Sequence, residues 1–135
     1  MVKITAKYTG QKHCELTHGP SGTVIGTDAP KDNNGRGEMF SPTDLVAGAL
    51  GSCMLTIMGI VAERDGVVID GATVEVTKEM TPPPRRIGRL AVQLSLPPGI
   101  RPDYRQKLEN AAHTCPVHKS LHPDTMIDIS FKYAD

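Results

Sequence analysis

From Leu45 to Ala62 the chain carries no charged residue. A stretch of that length must be buried, in lipid or in protein. Its ends are marked as helix ends. Ser41 is an N-cap residue, Pro42 suits the first helical position, and Asp44 stands three residues after the cap. This is a capping-box-like start with a carboxylate at the positive end of the helix dipole. Glu63, Arg64 and Asp65 restore polarity, and Gly66 is a natural stop. The length also suits a membrane span, but Gly48, Gly51, Ser52, Thr56 and Gly59 dilute the stretch. Strand-like segments on both sides need a helix to cover them, so no membrane is expected. The spacing predicts a core helix whose apolar row is Val46, Leu50, Cys53, Ile57 and Ile60, with small residues that allow close backbone approach.

The flanks alternate with period two. Val2, Ile4, Ala6 and Tyr8 are out of phase with Lys3, Thr5, Lys7 and Thr9, which predicts a half-buried strand. Gly10 and the Gly19-Pro20, Gly22 group punctuate two further short strands near 12–18 and 22–27, completing an antiparallel meander. Residues 28–40 hold turn formers and charge and read as a loop. After the helix, residues 67–78 end in an alternating strand, and Pro82-Pro83-Pro84 forces an extended loop. Ile87 to Leu96 reads as the return strand, with Leu90, Val92, Leu94 and Leu96 on one face. Pro102 opens a second helix to about Thr114, and residues 125–133 alternate again. The order βββ-α-ββ-α-β segregates strands from helices, an α+β class. At 135 residues the chain is expected to be one domain, 1–135.

Charge and composition narrow the function. Lys plus Arg and Asp plus Glu both number 15. A neutral chain carries no electrostatic footprint for nucleic acid. With 4% aromatic residues and no Trp, stacking platforms and cation cages lose weight. The N-terminus has no apolar run of secretory length, and the three cysteines, Cys14, Cys53 and Cys115, are too sparse for a secreted framework. A cytoplasmic setting is expected.

Two cysteines stand beside features that position them. Cys53 lies on the apolar row, so its default is a buried core thiol. It is too far inside the helix for the dipole to activate, so any thiolate there needs a neighbouring side chain. Cys115 precedes Pro116, with His118 three residues on. If Pro116 starts a new turn, Cys115 sits at its positive end and becomes more acidic; if the preceding helix runs through, it becomes less so. His113, Cys115, His118 and His122 also admit a zinc reading, but no second ligand pair stands at finger spacing, so no metal is expected. Cys14 reads as an inert strand thiol. Phosphate-binding loops, dinucleotide fingerprints and hydrolase elbows are absent.

Ser41-Pro42-Thr43-Asp44-Leu45 followed by Ala47-Gly48-Ala49-Leu50-Gly51-Ser52-Cys53 resembles the first cysteine motif of the OsmC/Ohr superfamily, the osmotically inducible and organic hydroperoxide resistance proteins. Ala111-Ala112-His113-Thr114-Cys115-Pro116-Val117-His118-Lys119 resembles the second, and Lys78-Glu79-Met80 through Pro84-Arg85-Arg86-Ile87-Gly88 is similar to the OsmC-like branch. The resemblance implies an intertwined homodimer with central helices between curved antiparallel sheets. It implies a thiol-dependent peroxidase for organic hydroperoxides in oxidative stress defence, with Cys53 peroxidatic and Cys115 resolving. No metal or organic cofactor is implied, and the reductant would be a thiol, such as a lipoylated protein.

One departure bears on activation. The peroxidases carry Asn-Pro-Glu where this chain has Ser41-Pro42-Thr43, and their Glu positions a catalytic Arg. Here Arg36, with Glu38 beside it, is the Arg that precedes the helix. Arg36 is expected to lie over Cys53, with Glu38, Asp44 and His118 as further candidate pocket groups. The alternative reading is a dimeric binding protein for a small hydrophobic or thiol-reactive molecule.

Overall fold

Three strands, one long helix, two strands, two shorter helices and a last strand follow in order in the computed structural model, which describes residues 1–135. They are β1 (Ile4–Gly10), β2 (His13–His18), β3 (Val24–Asp28), α1 (Pro42–Arg64), β4 (Thr73–Met80), β5 (Ile87–Leu96), α2 (Pro102–Ala112), α3 (Pro116–Ser120) and β6 (Met126–Tyr133). Residues 1–46 and 47–135 form two compact units.

In the first unit, β1, β2 and β3 form the expected antiparallel meander, with Tyr8 opposite Cys14 and His13 opposite Asp28. The expected burial of β1 is not met. Ile4 is 58% and Tyr8 65% exposed, and Val24 and Ile25 of β3 are exposed as well. The buried residues of this unit are Thr27, Asp28 and Ser41, all polar.

The start of α1 is a reciprocal capping box. The Asp44 amide donates to Ser41 Oγ at 3.0 Å, and the Ser41 amide donates to Asp44 Oδ2 at 2.9 Å. Two of the donors that a helix N-terminus leaves unpaired are thereby satisfied. At the other end Gly66 takes a φ of +69°, the left-handed conformation that ends a helix cheaply. By length and composition α1 could cross a membrane, yet one of its faces is core.

That face is rotated from the predicted row. Ala47, Leu50, Gly51, Met54, Met58 and Ala62 are buried, while Ile60 is 48% exposed. The helix is apolar nearly all round, so periodicity could not say which side faces the sheet. Gly51 shows where the sheet sits: a Cβ there would meet Val74 Cγ1 and Val76 Cγ2, each at 3.0 Å.

In the second unit β4, β5 and β6 form a sheet with β5 central. Its cross-strand rows are Val74–Leu94–Phe131 and Val76–Val92–Ile129. Leu90, Val92, Leu94 and Leu96 are buried, as the alternation requires, with Tyr104, Leu108 and Ala112 of α2 in the same core. The all-antiparallel expectation fails here, because β6 pairs parallel to β5. The crossover through α2 and α3 returns the chain to the same end of the sheet, which a hairpin could not do. Tyr104 Oη ties α2 to the end of α1, donating to Asp65 Oδ2 at 2.7 Å, while Lys107 Nζ lies 2.8 Å from the same oxygen.

Candidate active site

The second helix stops before Cys115. Thr114 Oγ1 donates to the Ala111 carbonyl at 2.7 Å, and the Cys115 amide donates to the Ala112 carbonyl at 3.3 Å. Pro116 then opens α3, where its missing N–H costs nothing. Of the two geometries open in the sequence, this is the new turn. Cys115 is its N-cap, and its Sγ accepts from the His118 amide at 3.4 Å.

The expected consequence does not follow. The Cys115 thiol is pushed up, first by burial and then by a hydrogen bond with the Cys53 side chain, with the His118 amide opposing both. Cys115 is fully buried, and a five-residue helix offers little field against that.

Cys53 reaches this point from α1. It lies beside the buried row of Leu50 and Met54 and is half-buried, not sealed in the core as its place in the predicted stripe suggested. Both cysteines are free thiols. The structure thus brings together two residues 62 positions apart, one half-buried and one fully buried.

His118 adjoins Cys115 through its backbone. Burial, then the positive charge of Lys119 and the neighbouring His113, hold its imidazole below the usual histidine range, so it is neutral near pH 7. Its Nδ1 is buried with no hydrogen-bond partner. His113 presents its ring edge-on to Phe131 at 6.2 Å. His122 is engaged elsewhere, with Arg86 at 3.3 Å and the Asp124 amide at 3.0 Å. No group of three or more His, Cys, Asp or Glu side chains gathers into a metal site.

The other candidates belong to the first unit. Asp44 has its carboxylate in the helix cap. Arg36 donates to Gln11 Oε1. Arg36 and Glu38 line a cleft with His13, Asp28 and Met39. The His13–Asp28 pair at its heart was not found from sequence. Alternation identifies two strands but not the register that sets these residues opposite each other.

The model of the OsmC-like protein family matches residues 35–130. The chain belongs to the OsmC-like family. A candidate osmotic stress induced and detoxification response protein from Psychrobacter arcticus is 41% identical, covering 99% of this chain and 96% of that one, with a TM-score of 0.90. The OsmC-like protein of Mycoplasma pneumoniae shares the fold at 16% identity, 100% and 98% coverage and a TM-score of 0.82. The organic hydroperoxide resistance protein OhrB of Bacillus subtilis does so at 20% identity, 99% and 98% coverage and a TM-score of 0.66. Comparison with curated protein sequences returns no match.

Proposed function

We propose that this OsmC-like protein is a thiol-dependent peroxidase that reduces organic hydroperoxides in the cytoplasm. What carries the reading is two neighbouring free thiols, Cys53 half-buried and Cys115 fully buried, near enough that the Cys53 side chain helps to raise the Cys115 thiol. The half-buried member meets the oxidant. The Cys53 thiolate attacks the distal peroxide oxygen, the O–O bond breaks, and the alkoxide leaves as the alcohol after taking a proton. Cys53 becomes a sulfenic acid. Cys115 Sγ then attacks Cys53 Sγ, giving a disulfide and water, and an external dithiol such as a lipoylated protein reduces it. A buried, protonated Cys115 is a poor first nucleophile and a well-placed second one. The hydroperoxide resistance named for the Bacillus subtilis structure agrees with the reading.

The same reading includes a homodimer. The apolar side chains Ile4, Tyr8 and Ile25 stand uncovered on one face of the first sheet. A three-stranded sheet gains little stability until an apolar face is covered, and a second copy of the chain is the cover the family relation favours.

The test treats reduced protein with one equivalent of cumene hydroperoxide, and in parallel with hydrogen peroxide, followed by thiol counting and peptide mass spectrometry. Loss of two thiols with a Cys53–Cys115 linkage, faster with the organic peroxide, is expected. Thiols intact after minutes would overturn the peroxidase and favour a binding protein. Arg36→Met tests the expected activator: a slower first oxidation with unchanged folding supports it, and an unchanged rate removes it.

A further inference from the structure

The cleft on the first unit holds a second arrangement of donors, unrelated to the thiol pair. His13 Nδ1 lies 2.7 Å from Asp28 Oδ1, and Asp28 is only 5% exposed. A carboxylate accepts, so the proton of the neutral ring sits on Nδ1 and the lone pair on Nε2. An imidazole fixed in this way by a buried carboxylate is the arrangement found behind most metal-bound histidines.

A thioether sulfur shares the space. A Cβ placed on Gly26 would lie 2.8 Å from Met39 Sδ, 2.9 Å from His13 Cε1 and 3.4 Å from His13 Nε2. The two donor atoms therefore converge over one glycine, where no larger residue fits without displacing them. The cleft around them measures about 360 Å³ and is lined also by Thr9, Gln11, Arg36 and Glu38. Its other formally charged side chains are Asp28 and Glu38 against Arg36. Two carboxylates against one guanidinium favour a cation over an anion. Thioether sulfur is a soft donor that serves Cu(I) well and Mg(II) or Ca(II) badly.

We propose that His13 Nε2 and Met39 Sδ form a binding site for Cu(I), with Asp28 orienting the imidazole and Glu38 supplying counter-charge.

The experiment titrates Cu(I) anaerobically against the chromophoric chelator bicinchoninate. It uses the full chain in which Cys14, Cys53 and Cys115 are replaced by Ser, so that thiolates do not compete. One equivalent should bind. Met39→Leu, a near-isosteric change at an exposed residue, should weaken that binding at least tenfold. Asp28→Asn should weaken it by about 10–100-fold. Circular dichroism checks that each variant is folded. If the cysteine-free chain does not fold, the same Met39→Leu change in the native chain should remove one bound equivalent. Met39→Leu that binds within twofold of its parent, or a folded cysteine-free chain that takes up no Cu(I), would overturn the proposal. Neither outcome bears on Cys53 and Cys115, the thiol pair that carries the peroxidase reading.

Discussion

Gly51 is the point where the long helix and the sheet press closest, and replacing it with alanine weighs two effects against each other. In a helix interior, Gly→Ala gains about 1 kcal/mol from backbone entropy and propensity. The new Cβ would meet Val74 Cγ1 and Val76 Cγ2 at 3.0 Å and Val74 Cγ2 at 3.3 Å. Those atoms belong to short, stiff side chains inside a paired sheet, so they cannot swing away. Overpacking of this kind costs about 1–3 kcal/mol. We therefore expect Gly51→Ala to be destabilising by about 1 kcal/mol despite its better propensity. Val74→Ala alone should cost about 1 kcal/mol for the partly buried methyl groups it removes. In the double variant the alanine Cβ fills part of the space the valine leaves. The two costs should then fall short of their sum by about 1 kcal/mol. Urea denaturation of the reduced protein at constant m-value reads all four corners of the cycle. Gly51→Ala that raises stability by the full propensity gain would refute the packing argument. So would a double variant additive within about 0.3 kcal/mol.

Three further outcomes follow from the geometry. Iodoacetamide at pH 7.4 should alkylate Cys53 before Cys115 by at least tenfold in rate, since Cys115 is fully buried with its thiol pushed up; peptide mapping over time reads the order. Ser41→Ala removes the acceptor for the Asp44 amide and should cost about 1 kcal/mol in the same denaturation assay, and Ser41→Thr should recover most of it. Asp65 is held below the usual carboxylate range, first by Lys107 and then by the Tyr104 hydroxyl. Its contribution is therefore present above pH 4 and fades as pH falls through its folded value. A melting-temperature series from pH 7 to pH 3 should drop less steeply for Asp65→Asn than for the native chain, and parallel curves would remove the role.

The local chemistry of the chain is legible in its sequence. The Ser41–Asp44 box, the stop at Gly66, the strand Ile87–Leu96 and the break between Cys115 and Pro116 each depend on neighbours a few residues apart, and all of them form as their residues dictate. The two cysteine motifs also point to a paired site. What the sequence leaves open depends on partners distant in the chain. The buried side of α1 is set by the sheet against Gly51, because a helix apolar on every side has no direction of its own. β6 runs parallel because α2 and α3 carry the chain back across the sheet, a fact of connection that alternation cannot encode. Cys115 stands at a helix start, yet burial and the sulfur of Cys53 raise its thiol against that position, since desolvation outweighs the field of a five-residue helix. Periodicity and caps are read within one element; burial, register and pKa are settled only when elements meet.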